Sequence, residues 1–245
     1  TDDYIVTHNT GLIGNIAVHS SMLDNVIAIF SVEMSESGIV ERILSQLGKI
    51  NLDKTREIGL TARDIDGYEI ALHELRKRKI YIYDSPQINT AKMSMMLRGL
   101  TRKEGKVNMC VLDYLQLVGK NTSTKMNWAE RKNREQEVSD ISKGLKAISK
   151  KYPLLAIAQL NRNVDHRDDK RPQLADLRES GSLEADADTV WFLYRHEFYS
   201  KLLTDKGKAE LIIAKRRNGR IGTVNLTWVE DYTEFRNYTP RIDNF

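Results

Sequence analysis

The chain has 245 residues, 40% hydrophobic and 29% charged, a balance suited to a globular protein with a sizeable core and unlike that of a disordered chain. Its 38 basic residues against 34 acidic ones leave a net charge of +4, compatible with a polyanionic partner and equally with a mixed, solvated surface. No apolar run approaches the roughly 20 residues that cross a bilayer, and the first residues lack the charged-then-apolar layout of a signal peptide, so a cytoplasmic protein without a membrane partner is expected.

Apolar β-rich runs alternate with segments of helical period, the layout of a parallel sheet with crossover helices. In chain order, a strand is predicted at residues 4–7, a helix at 10–23, a strand at 26–32 and helices at 38–47 and 62–77. There follow a strand at 79–83, a helix at 90–102, a strand at 107–113, a helix at 129–150 and strands at 154–159 and 189–194. The helices are read from apolar residues recurring three or four apart. After Tyr194 the style changes. Residues 210–215, 222–228 and 234–238 read as antiparallel strands, the first two joined by Arg217-Asn218-Gly219-Arg220, where Asn-Gly signals a hairpin. The polar stretches 119–127 and 163–171 both follow predicted strands. In an open parallel sheet, ligands bind at the carboxyl ends of strands, so these loops border the expected active edge. There is no internal repeat, and no Pro/Gly-rich linker divides the chain, so one α/β domain is expected over residues 1–245.

Some residue types exclude chemistry. The single cysteine, Cys110, sits inside the apolar run 107–112 and reads as a buried, inert thiol. The five histidines are scattered without metal-ligand spacing.

Three strand ends deliver polar groups. The strand 107–113 ends in Asp113, which can hold a magnesium ion beside nucleotide phosphates, or simply cap a loop. The strand 26–32 delivers Glu33, able to polarise a water for attack on a γ-phosphate, or to complement the start of the following helix. A third strand ends at Gln159, a neutral group that can hydrogen-bond a γ-phosphate or the attacking water.

Five segments then carry a specific resemblance. Phe30-Ser31-Val32-Glu33-Met34-Ser35, Leu112-Asp113-Tyr114-Leu115-Gln116-Leu117, Ala158-Gln159-Leu160-Asn161-Arg162, the run from Asp176-Leu177-Arg178-Glu179-Ser180-Gly181 to Asp188, and Ile213-Ala214-Lys215-Arg216-Arg217-Asn218-Gly219 resemble, in order, the motifs of DnaB-type hexameric replicative DNA helicases. The similarity extends from about Val26 to Tyr238. It implies a RecA-like P-loop NTPase core, a mainly parallel twisted sheet flanked by helices with a C-terminal antiparallel hairpin extension. The implied function is an ATP-dependent motor that moves on single-stranded DNA as a homo-hexamer, with Mg2+ as cofactor and a helicase loader and primase as partners.

Position by position, Glu33 resembles the family's catalytic glutamate, Asp113 the magnesium-holding Walker B aspartate, and Gln159 the glutamine that couples nucleotide to the DNA loops. Lys215 and Arg217 match the lysine and arginine finger that reach a neighbouring subunit's ATP; the plain alternative is a solvated basic turn. Arg178, Glu179 and Gly181 match the loop that faces single-stranded DNA, with Arg162 beside it. Arg167, Lys170 and Arg171 would add positive charge there, or form an ordinary solvated loop.

The phosphate-binding loop departs from the pattern. The family has a Gly-rich turn ending in Gly-Lys and Thr or Ser, whereas this chain reads Tyr4-Ile5-Val6-Thr7-His8-Asn9-Thr10-Gly11-Leu12. Thr10 matches the final hydroxyl, which with Asp113 would hold the metal, and Thr10 and Gly11 would touch the nucleotide. The remaining glycines and the lysine are not there. Either several loop residues are absent from this sequence, or the site is degenerate and the chain is an inert ring subunit or DNA-binding module.

Overall fold

The computed structural model describes residues 3–54, 59–113, 115, 128–161, 164 and 166–239. Its centre is a parallel sheet of β1 (Ile27–Ser31), β2 (Ile80–Asp84), β3 (Met109–Asp113) and β4 (Leu154–Ala156), in the order β2-β1-β3-β4. All five residues of β1 are buried, as a continuous apolar run requires when both sheet faces are covered. Strand alternation sorts its side chains onto two cores. Ala28 and Phe30 pack with Cys110, Leu112, and Met93 and Leu97 of α4 (Thr90–Glu104), and with Leu145 of α5 (Trp128–Ser149). Ile27 and Ile29 face the opposite way, onto Ile13 and Ala17 of α1 (Asp3–Ser21) and Ile39 and Ile43 of α2 (Glu36–Gly48).

The helix limits follow from local chemistry. The Ser35 hydroxyl accepts from the Gly38 amide at the start of α2, and Lys49 ends it in the left-handed region at φ 54°. Thr61 and Asp64 form a reciprocal capping box at the start of α3 (Ala62–Arg76). Asn89 caps α4, and Gly105, at φ 82°, stops it.

A second sheet is antiparallel throughout: β5 (Thr189–Arg195), β6 (Lys208–Arg216), β7 (Gly222–Val229) and β8 (Glu234–Asn237), in that order. Two short helices flank β5, α6 (Gly181–Asp186) and α7 (His196–Ser200). The far end of this sheet is tied to α1 and α2. The Phe235 amide donates to Asn15 Oδ1 at 2.8 Å, and Gln46 Nε2 donates to the carbonyls of Gly11 at 3.0 Å and Thr233 at 2.9 Å.

Three expectations are corrected. Residues 4–7, predicted as a strand, belong to the first turns of α1. A four-residue apolar run does not distinguish strand from helix, and no Gly or Pro separates it from the helical segment that follows. The strand predicted at 154–159 ends at Ala156. Residues 189–194 do form a strand, but one paired antiparallel with β6 instead of joining the parallel sheet. The predicted loop at 119–127 lies outside the described residues, as do residues 163 and 165 of the loop at 163–171. Among the described residues no helix is long and apolar enough to cross a membrane.

Candidate active site

The parallel strands end at one edge, and their register places the polar residues there. Ser31 lies opposite Asp113, and the Val32 amide donates to the Asp113 carbonyl at 2.8 Å, so Glu33 is the next residue beyond that clasp. On the other side of β3, the Ile157 amide donates to the Leu112 carbonyl at 2.9 Å and the Leu115 amide to the Ile157 carbonyl at 2.9 Å. Gln159 follows two residues later. Glu33 and Gln159 are exposed, whereas Asp113 is 1% exposed.

Asp113 meets α1 through Thr10. The Thr10 hydroxyl, itself buried, donates to Asp113 Oδ2 at 2.9 Å. Asp113 Oδ1 has no hydrogen-bond partner among the described residues. Burial pushes the Asp113 carboxyl up to about 6, against the Thr10 hydrogen bond and the charge of Arg42, which both act to lower it. A buried carboxylate with one open acceptor beside a hydroxyl is an oxygen donor set that fits a hard divalent cation.

Arg42 was missed by sequence reasoning. It is buried on α2, on the stripe that carries Ile39, Ile43 and Gln46. A basic residue on the apolar face of an amphipathic helix is the signal that could have found it, because a buried charge needs a partner. Gly11 has a packing role: a Cβ there would stand 2.8 Å from the Thr233 carbonyl and 3.3 Å from the Trp228 ring.

The other predicted residues lie elsewhere. Lys215 Nζ donates to the Glu184 carbonyl. Arg217 donates to the Ala185 carbonyl at 3.0 Å and pairs with Asp188 at 2.9 Å, its side chain half exposed. Both cations therefore rest on the segment around α6 and not on the Asp113 edge. Gly181 opens α6, and Arg178 and Glu179 precede it in the 3-10 turn Leu174–Ser180; Arg162 lies outside the described residues. Two of the basic residues expected to enrich the channel have intramolecular partners: Arg167 pairs with Asp176 at 2.8 Å and Arg171 with Glu210 at 2.8 Å.

Burial pushes the Cys110 thiol up to about 12, in keeping with an inert core residue. No cluster of His, Cys, Asp and Glu suited to a metal occurs among the described residues.

The DnaB-like helicase C terminal domain family matches residues 7–237. The chain is 40% identical to the replicative DNA helicase DnaB of Geobacillus stearothermophilus over 98% of its own length and 54% of that protein's. It is 41% identical to the replicative DNA helicase DnaC of Bacillus subtilis, over 94% of this chain and 50% of that protein. Among solved structures, a DnaB-like replicative helicase described with its interactions with primase matches with a TM-score of 0.86 and 33% identity, over 95% of this chain and 55% of the other. The chain thus spans about half the length of these relatives. With the whole parallel sheet and the antiparallel sheet inside the matched region, the chain belongs to the DnaB-like helicase C-terminal domain family.

Proposed function

We propose that this domain is the ATP-driven motor of a replicative DNA helicase, which assembles as a homo-hexameric ring and moves along single-stranded DNA to separate the duplex. The observation that carries the reading is the buried Thr10–Asp113 pair at the carboxyl edge of the sheet, with Asp113 Oδ1 buried and without a hydrogen-bond partner among the described residues. Mg2+, when bound there, would neutralise charge developing on the phosphates. Asp113 and Thr10 would hold it, and Glu33, exposed one residue past the β1–β3 clasp, would polarise the attacking water. Gln159, on the neighbouring tip, would sense the γ-phosphate and pass its state toward the segment 174–188.

Lys215 and Arg217 would act on the nucleotide of the adjoining subunit. Their intramolecular acceptors are mostly backbone carbonyls on a half-exposed surface, contacts that a phosphate can replace with a stronger, charge-assisted partner. Arg178, Glu179, Gly181 and Arg162 would face the strand in the channel, where sequence-independent contact with phosphates suits a translocating motor. A helicase loader and a primase are the partners expected of such a ring.

The relatives are named replicative helicases, which favours the motor over an inert ring subunit. Glu33→Gln in the complete protein should lower ATP hydrolysis by about a hundredfold or more while leaving nucleotide binding in place. A variant that hydrolyses ATP at the unmodified rate would remove Glu33 from this role. Absence of hydrolysis in the unmodified protein, with DNA binding intact, would select the inert reading.

A further inference from the structure

Two observations converge on the chain just before Thr10. The first is a groove. β4 lies at one edge of the parallel sheet and β5 at one edge of the antiparallel sheet, and the two edges line a shared apolar cavity of about 640 Å³. Leu12 and Ile16 of α1 and Leu145 of α5 also line it, with Leu155, Trp191 and Leu193 on the strands. The composition of β4 is that of an inner strand, Leu-Leu-Ala continuing into Ile157 and Ala158, yet all three of its residues are only half-buried, whereas β1 is wholly buried. Trp191 on β5 is 45% exposed. Leu154–Ala156 of β4 and residues 189–194 of β5 carry neither charge nor proline, although the pairing of β5 with β6 shifts register between Val190 and Trp191; apolar edges of this kind are templates for another strand. A strand laid there would pair on both sides and join the two sheets into one.

That strand has a defined exit. Parallel to β4, it would end at the same edge as Asp113, where the Thr10 hydroxyl of α1 donates to Asp113. It is therefore the strand that hands the chain to Thr10 in a βα unit. Residues 3–9 do not supply it, since they continue α1 as helix, and Thr7-His8-Asn9 offers neither the glycines nor the cation that cradle phosphate.

The second observation is the tripeptide His8-Asn9-Thr10. An asparagine side-chain amide can attack its own backbone carbonyl and break the bond to the next residue. A preceding histidine can protonate the departing nitrogen, and a following threonine supplies a hydroxyl nucleophile. This is the set of groups that excises one segment and joins its neighbours.

We propose that Asn9–Thr10 is a protein-splicing junction, at which the segment ending in Asn9 is removed and Thr10 is joined to an upstream β-strand that carries the Gly-Lys turn and fills the groove between β4 and β5. In the first step a serine hydroxyl or cysteine thiol at the start of the excised segment attacks the preceding peptide carbonyl; the C–N bond breaks, its nitrogen takes up the proton, and an ester or thioester is left, whose carbonyl carbon the Thr10 Oγ then attacks. The alcohol or thiol leaves with the hydroxyl proton, and the upstream segment is now esterified to Thr10. The Asn9 side-chain nitrogen then attacks the Asn9 carbonyl carbon, and the Asn9–Thr10 C–N bond breaks. The departing nitrogen takes a proton from the His8 imidazolium while the cyclising nitrogen loses one, leaving a succinimide on the excised segment and a free Thr10 amine. That amine attacks the ester carbonyl, forming the peptide bond and restoring the hydroxyl that donates to Asp113. No oxidant or reductant is needed. The Gly-Lys ending rests on the motor reading; the junction chemistry does not.

The test is to express the complete reading frame that encodes this chain and map the product by mass spectrometry after cleavage at glutamate. The expected peptide runs from residues outside this chain directly into Thr10 and on to Glu33, and Asn9→Ala should accumulate a precursor that retains residues 1–9. In the joined product, amides of β4 and β5 should exchange with solvent at least about tenfold more slowly than in that precursor. A mature protein with an intact Asn9–Thr10 bond, or one whose N-terminus is a free Thr10, would overturn the junction. Joined product with unchanged exchange in β4 and β5 would overturn the seating of the strand. None of these readouts depends on ATP hydrolysis, so failure of the motor reading would register separately.

Discussion

Asp113 carries a charge that the protein around it resists. Its folded pKa, raised by burial from 3.8 to about 6, means that the folded state holds the proton more tightly than the unfolded chain does. Stability must then fall as the pH climbs from about 4 to about 6, and stay reduced above that window. Asp113→Asn removes the charge but keeps an acceptor for the Thr10 hydroxyl. The metal-free variant should be more stable than the unmodified protein at pH 7.5, by about 1–3 kcal/mol, and its melting temperature should not follow the fall between pH 4 and 6. Thermal melts across that range decide it; parallel profiles for the two proteins would count against a strained carboxylate. The same residue was visible in the sequence because an apolar strand ending in Asp is a local pattern. Glu33 and Gln159 were legible in the same way, as polar groups closing an apolar run, although β1 stops at Ser31 and β4 at Ala156, so that both stand beyond their strands. Arg42 was passed over: its place on the apolar stripe of α2 is a local signal, but its bearing on Asp113, 71 positions away, appears only when α2 is laid beside β3.

At the level of elements, two helices touch through glycine. A Cβ on Gly48 would stand 2.5 Å from the Gly67 carbonyl, and one on Gly67 would stand 2.9 Å from the Gly48 carbonyl. α2 and α3 therefore meet backbone to backbone, with Ile50 filling the space beside them. Gly67→Ala must push the helices apart and should cost about 1–3 kcal/mol. Gly99, within α4, has nothing within 4 Å of its would-be Cβ, and Gly99→Ala should instead stabilise by about 0.5–1 kcal/mol through helix propensity. Urea unfolding midpoints that move in the same direction for both would contradict this account of the contact. α2, α3, α4 and α5 were readable to within two residues, because caps and apolar periodicity are encoded locally. The residues before Thr10 were misread for the same local reason, a β-branched run attached to a helical one. The separation of β4 from β5 was beyond sequence reasoning altogether, since pairing partners lie far apart along the chain and composition does not name them.

For the whole molecule, the arrangement of cations makes a quantitative demand. Thr10, Glu33, Asp113 and Gln159 share one edge, whereas Lys215 and Arg217 rest on residues 184–188. If a competent centre takes its carboxylates from one subunit and Arg217 from the next, activity belongs to interfaces and not to chains. Hydrolysis per subunit should then rise with protein concentration as rings form. Glu33→Gln and Arg217→Ala should each be inactive alone. Mixed in equal amounts and allowed to reassemble, they place an intact Glu33 opposite an intact Arg217 at about one quarter of interfaces, and that share of activity should return. If both residues served the same subunit's nucleotide, every chain in the mixture would lack one of them, and no recovery would occur. The assay uses the complete protein, since ring assembly and hydrolysis are read together in the mixture.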